Sequence, residues 1–241
     1  MPYAKIAAAL QFAFTFATVA VVTAAESEPI VLTGDDLSAW REPHGQWQVA
    51  GDVKPGGEED RLLVAAPGRG VIVNGSTGRT NNLLSKNEYG DVAVHVEFQI
   101  PKGSNSGVYF QARYEIQVFD SWGVDHPKYI DCGGIYQRWR DGQGYEGHAP
   151  SVNASLPPGR WQTFDVIFRA PRFDSAGKKT ENARFVKVVH NGKVVHENVE
   201  VTGPTRASTY EDEKPTGPLM LQGDHGPVAY RNITVQPLQL D

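Results

Sequence analysis

Residues 92–100 alternate apolar and polar positions with period two. Val94, Val96 and Phe98 share one side, and His95, Glu97 and Gln99 the other. Side chains on a strand point to opposite faces in turn, so this run predicts a half-buried strand. Shorter runs of the same kind recur at residues 107–111, 114–119, 163–169, 183–190, 193–197, 219–222 and 228–235, separated by Gly, Pro, Asn and Asp. Between two of them stands Asn191-Gly192. Both positions tolerate positive φ, so this pair predicts a two-residue hairpin turn of the primed type. No long helical periodicity follows residue 26. About a dozen strands without helices predict an antiparallel all-β sandwich or barrel.

The chain begins differently. Residues 1–25 carry a single charge, Lys5, then an apolar stretch, then Thr23-Ala24-Ala25. A positive start, an apolar middle and small residues at the end are the layout of a secretory signal cut near Ala25, which implies a secreted or periplasmic protein with no membrane span after cleavage. Residues 26–241 then read as one domain. Residues 51–61 and 172–181 are polar and read as surface loops, the second as a hairpin tip. Residues 202–218, with Glu211, Asp212 and Glu213, read as a solvated connection.

Composition narrows the chemistry. The chain has 241 residues, net charge -5 and one cysteine, Cys132. An acidic balance disfavours nucleic acid as a partner. A single thiol excludes an internal disulfide framework, and Cys132 reads as a small buried apolar residue. There is no phosphate loop, dinucleotide fingerprint, His-Glu-x-x-His or Gly-x-Ser-x-Gly. The seven histidines are scattered, and His190 and His196, flanking the hairpin turn, read as exposed.

Polar groups converge in one region. In Tyr114-Glu115-Ile116-Gln117-Val118-Phe119-Asp120, Glu115 and Gln117 face away from Ile116 and Val118. Tyr109 and Gln111 likewise oppose Val108 and Phe110. Gln222 falls with Met220, and Arg231 alternates with Tyr230 and Asn232. A sheet face bearing Glu, Gln, Tyr and Arg suits a carbohydrate, and Trp122 and Trp139 are candidate sugar platforms. Trp40, Trp47 and Trp161 read as core.

Several ordered motifs carry a family resemblance: Leu37-Ser38-Ala39-Trp40, Asn105-Ser106-Gly107-Val108-Tyr109, the Tyr114 to Asp120 segment, Cys132-Gly133-Gly134-Ile135-Tyr136, Gly159-Arg160-Trp161-Gln162, and Leu221-Gln222-Gly223-Asp224-His225-Gly226. Together they resemble the 3-keto-disaccharide hydrolase (DUF1080) domain family over nearly all of the mature chain. The resemblance implies a concanavalin A-like jelly roll of two antiparallel sheets. It implies cleavage of 3-keto-glycosides or disaccharides by C2 proton abstraction, elimination at C1 and water addition. It implies Glu115 and His225 as catalytic groups, and as the candidate ligands if a divalent metal ion takes part. Asn105, Tyr109, Gln111, Arg113, Gln117, Trp122, Tyr136, Trp139, Gln222 and Arg231 would bind the sugar. The alternative is a non-catalytic carbohydrate-binding jelly-roll module.

Overall fold

Val94, Val96 and Phe98, predicted to share the buried side of their strand, are all at most 3% exposed, and they lie in the middle of the larger of the two main sheets. The computed structural model describes residues 23–24 and 28–241, so most of the expected signal segment lies outside the described residues. The main strands are β1 (Gln48–Gly56), β2 (Leu62–Val73), β3 (Leu83–Tyr89), β4 (Val92–Gln99), β5 (Asn105–Phe110), β6 (Tyr114–Phe119), β7 (Gln162–Arg169), β8 (Ala183–His190), β9 (Lys193–Val201), β10 (Gly217–Leu221) and β11 (Ala229–Gln239).

The larger sheet runs β9-β8-β7-β4-β11-β2-β1, and the smaller runs β3-β10-β5-β6. Every pairing is antiparallel. The chain passes repeatedly from one sheet to the other, as in a jelly-roll sandwich. Among the described residues the helical element is a single turn at Glu58–Asp60. No described helix is long and apolar enough to cross a membrane.

The core between the sheets is aromatic. Phe98 and Phe164 of the larger sheet meet at 4.7 Å between centroids, and Phe110 of the smaller sheet reaches Phe168 at 5.2 Å. Each such side chain, removed from water, stabilises the fold by roughly 1.5–3 kcal/mol. Asn191 (φ 49°) and Gly192 (φ 77°) form the expected primed turn.

Three expectations need correction. Residues 51–56 are not loop but part of β1, paired along their length with β2. Their Gly and Pro content hid a long, irregular ribbon at the sheet edge, where both residues are tolerated. His190 and His196 are not exposed. His190 is fully buried against Phe98 and Phe164, and His196 Nε2 lies 2.8 Å from the Gly133 carbonyl. The 202–218 segment is not a bland connection, because it closes over the smaller sheet as described next.

Candidate active site

β5 and β6 pair in a register that sets Tyr109 opposite Glu115 and Gly107 opposite Gln117. Alternation sends Val108, Ile116 and Val118 into the core. It sends Tyr109, Glu115 and Gln117 to the other face, where Gln222, just past β10, joins them through its N–H bond to the Gly107 carbonyl at 2.9 Å. That outer face is buried too. Glu115 is 3% exposed, Gln117 4% and Gln222 5%. A sheet face that is both polar and buried has to find partners for its polar groups.

Two loops provide the walls. Residues 133–136 line the free edge of β6, with Gln117 N–H bonded to the Gly134 carbonyl at 2.8 Å and Tyr136 N–H to the Glu115 carbonyl at 3.1 Å. The 202–218 segment is fastened beside it. Thr205 Oγ1 accepts from Glu115 N–H at 3.1 Å and donates to the Arg113 carbonyl at 3.0 Å, and Arg206 N–H bonds the Gln137 carbonyl at 2.8 Å. The result is a depression of about 270 Å³ lined by Asn105, Tyr109, Glu115, Gln117, Tyr136, Arg206, Ala207, Gln222 and His225.

Inside it the polar groups are not all satisfied. Among the described residues nine buried side-chain polar atoms lack a hydrogen-bond partner, and three of them, Asn105 Oδ1, Tyr109 Oη and Gln117 Oε1, belong to this one depression. Clustering of unpaired donors and acceptors in a cleft points to a ligand that completes them. Glu115 is also perturbed. Burial pushes its carboxyl up to about 8; the Tyr109 hydroxyl offsets this in part, and the Asp224 carboxylate adds to it. Burial, reinforced by Glu115, raises Tyr109 well above the usual phenol range, so it remains a donor. Tyr136 is raised by burial and by Glu115, with Arg206 opposing.

His225 stands at the rim, half-exposed, with Nδ1 2.5 Å from Asp224 Oδ1. Its loop is held from behind. Fully buried Asn74 donates to the Gly223 and Gly226 carbonyls at 3.0 and 2.9 Å and accepts from Val228 N–H at 2.8 Å. Gly223 and Gly226 are required here, since a Cβ at either would lie 2.2 Å from the Asn81 carbonyl oxygen or 2.4 Å from Ser104 Oγ.

A metal does not fit this donor set. Among the described residues no group of three or more His, Cys, Asp or Glu side chains is placed to hold an ion. Glu115 and His225 are the carboxyl and imidazole side chains that line the depression. A divalent ion needs several deprotonated oxygen or nitrogen ligands.

The structure thus brings together Asn105, Tyr109, Glu115, Gln117, Tyr136, Gln222 and His225. Other candidates lie elsewhere. Gln111 (φ 55°) has left the strand, and its Nε2 donates to the Tyr89 and Pro215 carbonyls. Arg113 is buried behind the 202–218 segment, 2.6 Å from Asp212 Oδ1 and stacked over Tyr210. Arg231 belongs to the larger sheet, bonded to Glu97 Oε2 at 2.7 Å and stacked on Trp161. Trp122 is 57% exposed and lines no part of the depression. Trp139 lies in a neighbouring depression under Arg206. Sequence reasoning missed Arg206, Ala207 and the supporting Thr205 and Asn74. Asp224 enters the sequence reading only as a member of the Leu221 to Gly226 motif.

The profile of the 3-keto-alpha-glucoside-1,2-lyase-like domain matches residues 28–236. A crystal structure described as a candidate glycosyl hydrolase from Parabacteroides distasonis ATCC 8503 is 25% identical, with TM-score 0.65, covering 95% of this chain and 94% of that one. A second from the same organism, described in the same way, is 20% identical, with TM-score 0.57, covering 88% of this chain and 100% of that one, and supports the fold. No curated protein matches the chain. With the profile spanning nearly all the described residues, the chain belongs to the 3-keto-alpha-glucoside-1,2-lyase-like domain family.

Proposed function

We propose that this carbohydrate-active domain cleaves 3-keto-glucosides by elimination across C1 and C2, with Glu115 as the base. A ketone at C3 acidifies the hydrogen on C2. Glu115 takes that proton, and the electron pair forms an enolate between C2 and C3. The enolate then reforms the ketone, makes a C1–C2 double bond and breaks the bond from C1 to the glycosidic oxygen. That oxygen takes a proton as it departs. Addition of water, hydroxyl to C1 and hydrogen to C2, gives the free 3-keto sugar and makes the net reaction a hydrolysis.

The observation that carries this reading is the buried Glu115 carboxyl, raised to about 8 at the floor of a cleft with three unpaired polar atoms. A carboxylate with that affinity is a stronger base than an exposed one, and its pKa is matched to work near neutrality. Tyr109, a neutral phenol beside Glu115, can donate to oxygen charge that develops at C3. Asn105 Oδ1 and Gln117 Oε1 are acceptors waiting for hydroxyls, which is what a sugar offers. Asp224 holds His225 Nδ1, so Nε2 exchanges the proton of the leaving oxygen. We propose that the activity operates in the periplasm or outside the cell, a reading supported by the signal-like layout of residues 1–25.

The test is turnover of a 3-keto-glucoside by wild type, Glu115→Gln and His225→Ala, each confirmed to fold. The expected result is loss of about 10²-fold or more in kcat for both variants. Unchanged turnover in both removes the assignment. Sugar binding without any product by the wild type supports the binding-module alternative.

A further inference from the structure

Beside the Glu115 depression lies a second one of about 420 Å³, and Arg206 and Ala207 line both. We infer that it is the subsite for the leaving-group sugar, and that it favours a leaving group carrying a carboxylate, such as a uronic acid. The inference rests on the reading of Glu115 as the point where the bond is cut, because a ligand leaving C1 there has this depression as its neighbour.

The two depressions differ in chemistry. The first is rich in unpaired acceptors, which read hydroxyls. The second presents donors. Its wall holds Arg138, Arg140 and Arg206, against one lining carboxylate, Glu211. Arg138 is paired with Glu146 at 3.3 Å, whereas Arg140 and Arg206 have no carboxylate within salt-bridge distance among the described residues. Such a cluster stands out in a chain of net charge -5.

The guanidiniums are laid on rings. Arg206 Cζ is 3.9 Å from the Trp139 centroid, and Arg138 and Arg140 are 5.1 and 5.3 Å from the Tyr145 centroid. Stacking occupies the face of a guanidinium and leaves its N–H edge free, the edge that matches a carboxylate with two parallel hydrogen bonds. Arg138 is committed to Thr202 Oγ1 and Glu146, so Arg140 and Arg206 carry the free edges of this wall. Trp139, 44% exposed, adds apolar surface for a ring. An uncharged sugar would leave these donors facing only hydroxyls, and a carboxylate uses them fully.

The experiment titrates the wild type and Arg140→Gln with glucuronate and with glucose, by calorimetry. Arg140 is exposed, so its replacement keeps the fold. Wild type is expected to bind glucuronate about tenfold more tightly than glucose, and Arg140→Gln to lose most of that preference. A companion assay compares kcat/KM for two 3-keto-disaccharides that differ only in whether C6 of the leaving sugar is a hydroxymethyl or a carboxylate, with the carboxylate again favoured about tenfold. Equal binding of the two sugars, or a preference indifferent to Arg140→Gln, overturns the inference. Equal turnover of both disaccharides also overturns it and leaves the Glu115 chemistry standing. A glucuronate preference with no turnover of either disaccharide supports the anionic subsite and removes the Glu115 chemistry.

Discussion

Gly107→Ala adds one methyl group under the proposed base. Gly107 does not have a left-handed φ, so alanine fits its backbone without strain. Its Cβ, however, would lie 2.2 Å from Glu115 Oε1 and 2.9 Å from Tyr109 Cε2. Carbon and oxygen that are not bonded settle at roughly 3.3–3.6 Å, so the carboxyl must withdraw by about 1 Å. Tyr109 is fully buried and has little room to follow. A displacement of that size at a reacting group costs about 10²-fold in rate. Overpacking costs about 1–3 kcal/mol of stability, a fall of roughly 3–10 °C in Tm for a domain of this size. Initial rates on a 3-keto-glucoside, with a melting curve on the same preparation, measure both effects. A folded Gly107→Ala protein with wild-type kcat/KM would refute the claim that the position of Glu115 governs the reaction.

Three further outcomes follow from the same geometry. The Glu115 carboxyl is raised to about 8 in the fold against an ordinary 4.5, so the native state holds its proton more tightly. Its contribution to stability is complete below about pH 4.5 and is lost as pH rises through about 8, on the order of a few kcal/mol; Tm profiles of Glu115→Gln should lack that decline. His190 is the opposite case. Burial holds it down at about 3 against an ordinary 6.5, so acidification from pH 6.5 towards 3 destabilises the wild type, and His190→Leu should melt with a flatter acid limb. Asn74→Ala removes two donors and one acceptor from the His225 loop, and should cost about 2–3 kcal/mol and lower kcat more than KM, as read by melting and steady-state kinetics.

Period-two alternation explains why so much of the site was legible in the sequence. Once Val108, Ile116 and Val118 are assigned to the core, Tyr109, Glu115 and Gln117 must share the opposite face. The same rule failed where the strand had already ended. Gln111 and Ala112 take φ of 55° and 53°, which turns Gln111 and Arg113 away from the face they would otherwise continue. Arg231 illustrates another limit. Alternation correctly sets it opposite the buried Tyr230, but periodicity does not say which sheet a strand joins, and β11 lies in the larger one. Arg206 sits on a segment with no periodicity. Its place depends on Thr205 bonding the edge of β6, a contact 90 residues apart in sequence.

The most direct measurement of the central claim follows the hydrogen on C2. A 3-keto-glucoside is cleaved in heavy water, and the recovered 3-keto sugar is examined by NMR, with the uncatalysed exchange of substrate and product subtracted. Wild type should deliver product carrying solvent deuterium at C2, and Glu115→Gln should lose that incorporation along with turnover. Product released by the wild type with its original C2 hydrogen, and at a rate that is unchanged when C2 of the substrate carries deuterium, would mean that the bond to C1 was broken without proton abstraction, and the proposed chemistry would be contradicted.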